Sequence, residues 1–286
     1  MSLGKTIKTA FSICAQNFRK WATDYRMWVV GAIIVIMTFV YAHKMLLNAE
    51  AMGSDMTIWI FPFLYCRYYD LIMFVIPLVL MFCNAPFLDK NQTFVMMRAS
   101  SVTWFIGQIL YIIIASAAYF LFIFLLSVLM TVFTATPSLN WGNTIYTLAY
   151  RGFYDENVPL IDIPRYIIDF FTPLQACWFT FLMSWLAGIF LGLIVFSLNL
   201  ITETRNVGTI IAMAFVIWGA WVGYSGMIRH IKFSPITWIT VDKIDVGGMT
   251  LMPSLSYCIT VYLISIAVMT AAVFLFGRKK SFDFKE

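Results

Sequence analysis

The chain contains 286 residues, of which 62% are hydrophobic and only 12% are charged. A soluble domain typically has about 25% charged residues, and a folded chain of this length exposes too much surface to hide so many apolar side chains. The composition therefore predicts an integral membrane protein and argues against a water-soluble enzyme or a nucleic-acid-binding protein. The net charge of +5 must first be divided between the two membrane faces before it can indicate a partner.

Residues 1–26 form the first predicted element, an amphipathic helix lying on the membrane surface. Apolar side chains recur there at three- and four-residue steps, so they share one helical face, and basic side chains lie opposite, near the lipid phosphates. The alternative is a cytosolic helix packed on another subunit. The side chains expected at the membrane interface are Lys5, Lys8, Phe11, Phe18, Arg19 and Lys20.

Residues 27–277 are predicted to form an all-α transmembrane domain with six spans, because a bilayer core about 30 Å thick needs about 20 apolar residues per helix. The second predicted span carries Pro77, which predicts a kink. The six spans are Met27–Leu47, Leu71–Leu88, Trp104–Thr134, Leu174–Leu200, Val207–Ile228 and Ser254–Gly277.

The positive-inside rule predicts that both chain termini are cytoplasmic. With that orientation, the inner segments carry twelve Lys and Arg residues and the outer segments carry seven. The outer connections, at 48–70, 136–173 and 229–253, are rich in aromatic residues. They predict either interfacial belts or a vestibule at the outer mouth. Residues 278–286 form a basic cytoplasmic tail.

The sequence contains no pattern typical of catalysis or metal binding. The five cysteines include no CxxC pair, the two histidines belong to no zinc motif, and no catalytic motif is present, so we expect no catalytic and no metal-ligating residue. Residues 3–6 read LGKT but lack the earlier glycine of a phosphate-binding loop. None of the six span cores contains Asp, Glu, Lys or Arg, whereas ion-coupled transporters and voltage sensors keep such groups at membrane depth.

Small residues mark expected helix contacts. Gly188 and Gly192 are four residues apart in the fourth span, and Gly219 and Gly223 are four apart in the fifth. This spacing lets helix backbones approach closely. Packing within the chain is favoured over dimerisation at these sites.

The inner connection after the second span reads LDKNQTFVMMRASSVTWFIGQIL, a short polar helix and a Ser-Ser turn that lead into the third span. This pattern resembles the coupling helix of the permease subunits of type-2 ABC exporters. The amphipathic first helix, the six spans, the short second inner loop ITETRN, the segment SPITW before the last span and the basic tail are similar to that family as well. The long outer loop at 136–173 departs from many of its relatives.

The resemblance implies a multi-pass permease in a bacterial cell membrane, paired with an identical or homologous permease and with two copies of a cytosolic ATPase. ATP and magnesium would then bind the ATPase, and this chain would need no cofactor and be no enzyme itself. The resemblance implies a coupling helix at about 89–99. Matching positions for the main ATPase contact are Asp89, Lys90, Phe94, Met97 and Arg98, and those for a secondary contact are Glu203 and Arg205.

Three other interpretations remain open beside export of a hydrophobic or amphipathic peptide, bacteriocin or drug. An ion-coupled transporter or channel predicts intramembrane carboxylates or an inverted repeat. A membrane enzyme predicts a His, Asp and Glu cluster at one interface. A membrane sensor or immunity protein predicts no particular motif.

Overall fold

The structure is a computed structural model that describes residues 3–87, 100–136, 138–152, 158–204, 206–248 and 250–277. Within these ranges the regular elements are helices, apart from one isolated bridge between Asp245 and Ser254. The α-helices, numbered here in chain order, are α1 (Leu3–Arg19), α2 (Tyr25–Ala51), α3 (Tyr68–Phe82), α4 (Ser101–Thr131), α5 (Gly142–Tyr150), α6 (Arg165–Phe170), α7 (Pro173–Thr202), α8 (Val207–Ser225), α9 (Ile228–Ile231) and α10 (Leu255–Gly277). Four 3-10 helices cover Lys20–Ala22, Phe61–Phe63, Pro235–Ile239 and Val241–Lys243.

Five of these helices, α2, α4, α7, α8 and α10, are long and apolar enough to cross a membrane. They contain between 19 and 31 residues, against about 20 required for a bilayer core. The all-helical architecture of a multi-pass membrane protein, predicted from composition and hydropathy, is therefore present.

The predicted second span differs most from its helix. The prediction covers Leu71–Leu88, whereas α3 covers Tyr68–Phe82 with Pro77 inside it. Fifteen residues at 1.5 Å each give a helix of about 22 Å, shorter than the hydrocarbon core of about 30 Å. The helix ends before the apolar run does. Residues 83–87, at the end of that run, form turns that are mostly buried in the protein. Six spans therefore stay a prediction.

Helix α7 forms the centre of the bundle. It contacts α3, α4, α8 and α10, and every residue from Leu186 to Ser197 is buried. A helix that is hydrophobic on all sides can be surrounded by other helices in this way. Helix α10, by contrast, packs on α7 along one side, and most of its apolar side chains are exposed or only partly buried.

Local signals in the sequence account for two of the helix starts. The Asp24 side chain accepts a hydrogen bond from the Arg26 backbone N–H at 3.0 Å and so caps α2. Thr172 and Gln175 form a reciprocal capping box at the start of α7, where Pro173 occupies the first helical position. Both helices therefore begin at sites where the orphan backbone donors are satisfied.

The two ends of the bundle differ in the length of their connections. At the short-loop end lie α1, the start of α2, residues 83–87, the start of α4, the connection between α7 and α8, and the end of α10. At the long-loop end lie the connections 52–67, 132–172 and 226–254. The first two of these connections pack together. The Trp59 indole donates to the Ser138 carbonyl at 2.7 Å, and the Thr57 hydroxyl donates to the Trp141 carbonyl at 3.0 Å. Within the second connection, the Trp141 indole donates to the Phe171 carbonyl at 2.9 Å.

Candidate functional site

The residues assigned by sequence to an ATPase contact lie mostly outside the described ranges. This applies to the following: Asp89, Lys90, Phe94, Met97, Arg98 and Arg205. The basic tail at 278–286 also lies outside them. Glu203 is described and forms the C-terminal cap of α7, with φ +55° in the left-handed region. The chain on either side of residues 88–99 is described, and its geometry defines this part of the short-loop end.

Both described flanks of residues 88–99 are held by specific contacts. The Phe87 carbonyl accepts a hydrogen bond from the Lys20 ammonium at 3.3 Å, and the Phe87 ring packs against Tyr111 with centroids 5.0 Å apart. Ser100 caps α4 through its contacts with Thr103. Phe87 and Ser100 have φ of +61° and +65°, which is uncommon for residues other than glycine. The chain therefore turns sharply at both flanks.

Asn199 joins three elements at the short-loop end. Its side-chain amide donates to the Ala85 carbonyl at 2.9 Å, and its amide oxygen accepts from the Gly208 backbone N–H at 2.7 Å. Asn199 is on α7, Ala85 precedes residues 88–99, and Gly208 is in the first turn of α8. The two short connections are thus linked through one fully buried side chain.

Helix α1 docks on α4 through polar and apolar contacts. The Asn17 amide donates to the Gln108 side-chain oxygen at 2.6 Å, and the Trp21 indole donates to the Tyr111 hydroxyl at 2.9 Å. A Cβ atom on Gly107 would lie 2.8 Å from Ile13 Cβ, so glycine is needed for this close approach. Residues near the junction surround a cavity of about 240 Å³.

The predicted interfacial side chains fall into two groups. Lys5, Lys8, Phe11 and Arg19 are exposed, whereas Phe18 and Lys20 are partly buried against the rest of the protein. The buried face of α1 is not centred on the predicted apolar stripe, because α1 packs on α4 through Ala10, Ile13, Cys14 and Asn17. The exposed basic and aromatic side chains are those available to a membrane surface, and that location of the helix stays a prediction.

The four glycines singled out by spacing occupy different environments. A Cβ atom on Gly188 would lie 3.0 Å from Ser116 and Phe120, and one on Gly192 would lie 2.6 Å from Ile112, so both glycines face α4. A Cβ atom on Gly219 would lie 2.6 Å from Ile236. At Gly223 the nearest atom would be Thr237 Cγ2 at 3.6 Å, an ordinary contact distance.

The segment Pro235–Ile239 at the long-loop end is completely buried between α7, α8 and α10. The Thr237 hydroxyl donates to the Gly219 carbonyl at 2.9 Å, and the Tyr262 hydroxyl donates to the Pro235 carbonyl at 2.5 Å. The Trp238 indole donates to the Ile231 carbonyl at 2.7 Å. The SPITW pattern is therefore a buried 3-10 turn that is hydrogen-bonded to the surrounding protein through its Thr237 and Trp238 side chains and its Pro235 carbonyl.

A cavity of about 370 Å³ opens beside this turn, at the long-loop end. It lies between the starts of α3 and of the 3-10 helix Val241–Lys243, the end of α8 and the connection 158–164. Four tyrosines and three charged side chains contribute to its wall. These are Tyr65, Tyr68, Tyr69, Tyr224, Arg67, Asp162 and Lys243.

Charged groups near this cavity compensate one another in part. The Lys243 ammonium lies 2.9 Å from a carboxylate oxygen of Asp242, the only ion pair within 4.0 Å between residues that the structure describes. Burial raises the pKa of the Asp242 carboxyl, and the adjacent ammonium offsets part of that rise. Arg67 donates to the Tyr69 hydroxyl and lies near the Asp70 carboxylate.

Several of these residues were not identified from the sequence. Asp70 is only 4% exposed and forms part of the first turn of α3. Asn199 and Asn17 belong to no motif. The signal in the sequence was the residue type, because amides and carboxylates inside or beside apolar spans need polar partners.

Comparisons with known proteins do not assign the chain to a family. No protein-family model matches the chain, and neither a curated protein nor a solved structure shows significant similarity to it. Within the described residues, no group of three or more His, Cys, Asp or Glu side chains is arranged to hold a metal ion.

Proposed function

We propose that the chain is the membrane-spanning permease subunit of an ABC exporter, moving a hydrophobic or amphipathic substrate with energy from ATP hydrolysed on a separate subunit. In this proposal two permease chains pair in a bacterial cell membrane on two cytosolic ATPase copies. The coupling helix of this proposal is the one expected from sequence at about 89–99. The resemblance in layout described above is the starting point, and the contacts at the short-loop end support it.

The observation that carries the proposal is the way both short connections are tied to the bundle. A force applied to residues 88–99 would act directly on Phe87 and Ala85, which are hydrogen-bonded to Lys20 and Asn199. Asn199 also holds Gly208 at the start of α8. Movement of a bound ATPase would therefore reach α1, α7 and α8 together.

The composition of the long helices also supports an external energy source. Helices α4, α7, α8 and α10 contain no Asp, Glu, Lys, Arg or His. Helix α2 carries Arg26 in its first turn and His43, Lys44 and Glu50 in its last nine residues. Carriers driven by protons or metal cations generally use ionisable side chains at membrane depth. A mechanical drive from a second polypeptide needs none.

One observation favours a second candidate, an ion-coupled carrier. Asp70 is a buried carboxylate in the first turn of α3, near the Lys44 and Arg67 charges. Buried ionisable groups in membrane helices commonly mark ion or proton pathways. This candidate predicts transport that follows an ion gradient and needs no ATPase.

The test is purification of the tagged chain from its native membranes in mild detergent, with identification of co-eluting proteins and an ATP hydrolysis assay. We expect a soluble nucleotide-binding subunit to co-purify and to be lost from the double variant Phe94→Asp, Met97→Asp. Two charges introduced into an apolar docking surface would have to be desolvated on binding, which costs several kcal/mol.

The matched control is the double variant Phe133→Asp, Leu139→Asp. Both side chains are exposed at the long-loop end, by 87% and 80%, so the same chemical change is made far from the proposed contact. This control is expected to keep the ATPase. Recovery of the folded wild-type chain alone, without ATP hydrolysis, would contradict the proposal and favour the ion-coupled carrier or a sensor.

A further inference from the structure

The cavity at the long-loop end is assembled from all three long connections. Residues 65–69 come from the first connection and the start of α3, Asp162 comes from the second, and Thr240 and Lys243 come from the third. Its volume of about 370 Å³ falls in the range of small-molecule sites, about 300–1,000 Å³. Such convergence of separate segments on one space is typical of a binding site.

The Asp162 carboxylate is placed in this cavity by its neighbours. Ile161 and Ile163 are buried on either side of it, whereas Asp162 is exposed and forms part of the cavity wall. The loop is fixed to α2 because the buried Asn48 side chain donates to the Pro159 carbonyl at 3.0 Å. Asp162 has no ion-pair contact within 4.0 Å among the described residues.

The positive side of the cavity is provided by Arg67. Its guanidinium donates to the Tyr69 hydroxyl and lies 5.5 Å from the centre of that ring. A guanidinium has five N–H donors in a planar fork that matches a carboxylate. Lys243, the other cation of the wall, is already paired with Asp242. Arg67 lies near the Asp70 carboxylate but forms no ion pair within 4.0 Å among the described residues, so it is the better anchor for an incoming carboxylate.

The rest of the cavity wall includes tyrosine rings and a glycine. The Tyr68 ring packs against Tyr224 and Tyr69, with centroids 4.8 Å and 5.4 Å apart. Gly223 leaves open space, because a Cβ atom there would meet only Thr237 Cγ2 at 3.6 Å. Tyrosines offer large, rigid surfaces to apolar or aromatic groups.

We infer that this cavity binds a short zwitterionic peptide with apolar side chains, whose carboxylate pairs with Arg67 and whose ammonium pairs with Asp162. The tyrosine wall contacts the peptide side chains. The inference deepens the proposed function, since it rests on that proposal in taking the bound peptide as the exported substrate. Binding itself needs neither ATP nor a partner subunit.

The experiment measures equilibrium binding of the radiolabelled dipeptide Phe-Leu to the full-length wild-type protein in detergent, without ATPase. The same measurement is made with the N-acetylated dipeptide and with its C-terminal amide. We expect saturable binding of the parent and about tenfold weaker binding of each blocked form, because each loses one charge-assisted pair. Equal binding of the three ligands, or no saturable binding of the parent, overturns the inference.

Variants then assign each charge. Asp162→Asn is expected to abolish the difference between the parent and the N-acetylated form, and Arg67→Gln the difference between the parent and the amide. Variants that keep both differences would overturn the assignment. Gly223→Leu fills the cavity and is expected to remove binding, whereas Gly31→Leu, a glycine with no atom within 4 Å of an added Cβ, should retain it. Unchanged binding by Gly223→Leu also overturns the inference.

The outcome is independent of the test for the ATPase partner. Peptide binding by a chain that recruits no ATPase would support the peptide site and contradict the proposed permease function. Recruitment of an ATPase by a chain that binds no zwitterionic peptide would support the proposed permease function and contradict the peptide site.

Discussion

Buried amide side chains help to determine which segments of the chain pack together at the short-loop end. Asn199 satisfies a backbone acceptor at Ala85 and a backbone donor at Gly208, and Asn17 bonds Gln108 in the same region. In a low-dielectric interior an unpaired polar group is costly. These amides therefore define which backbone segments lie together, and an apolar side chain of similar size cannot replace them.

Asn199→Leu is expected to destabilise the protein strongly. It leaves the Ala85 carbonyl and the Gly208 N–H without this partner, and each buried group left unsatisfied costs about 1–3 kcal/mol. Thermal unfolding in one detergent should show a clear loss for this variant. Ser197→Ala is the matched control, because the only described partner of the buried Ser197 hydroxyl is the Ile194 carbonyl of its own helix. A loss as large as that of Asn199→Leu would contradict the prediction.

Sequence reasoning reaches residues of this kind only in part. It recognises that Asn199 is polar and lies near a span end, but it does not place Ala85 or Gly208 beside it, since 114 residues separate Ala85 from Asn199. The same limit hid the burial of Asp70. Its neighbours in the sequence suggest an accessible span end, whereas the folded protein buries it.

At the scale of elements, the close contact between α8 and the buried turn Pro235–Ile239 depends on one glycine. Gly219 accepts a hydrogen bond from Thr237 through its carbonyl, and Ile236 packs directly on its Cα position. Gly223, one turn further along the same helix, has ordinary space around it. The pair provides an internal comparison in which only the packing differs.

Gly219→Ala is expected to cost about 1–3 kcal/mol, because the added methyl group would lie 2.6 Å from Ile236 Cβ. Gly223→Ala should be neutral or stabilise by up to about 1 kcal/mol, because alanine is the better helix former. Apparent melting temperatures of the two variants in the same detergent provide the check. Equal melting temperatures would show that the turn does not pack on α8 as described.

The elements predicted best are those with the longest apolar periodicity. The ranges of α4, α7 and α10 differ from the predicted spans by a few residues at each end. The short helix α3 was predicted less well, and the burial of the turn Pro235–Ile239 was not predicted. Both are stabilised by surrounding protein more than by their own length, and hydropathy alone does not separate protein burial from lipid burial.

At the scale of the whole molecule, the asymmetry between the two ends is the main feature. The long-loop end is a folded cap in which Trp59 and Trp141 each bond a backbone carbonyl of another segment. The short-loop end carries α1 and the flanks of residues 88–99. The positive-inside rule predicts that the short-loop end faces the cytoplasm, and the proposed ATPase contact needs this orientation.

Labelling of single cysteines by a membrane-impermeant maleimide tests the orientation. In a background with the five natural cysteines replaced, Leu139→Cys and Leu251→Cys, which are 80% and 74% exposed at the long-loop end, should react in intact cells. Ser12→Cys, on the exposed side of α1, should react only after permeabilisation. Leu263→Cys, exposed in the middle of α10, should stay unlabelled in both conditions, because its surroundings are lipid.

The opposite labelling pattern would show that the protein has the inverted orientation in the membrane. Residues 88–99 would then face away from the cytosol and could not contact a cytosolic ATPase, although the helical bundle would be unchanged. The charge distribution makes this unfavourable, since twelve of the Lys and Arg residues lie in the predicted inner segments and seven in the outer ones. The labelling therefore tests the orientation that the proposed mechanism needs. The helical fold is compatible with either result.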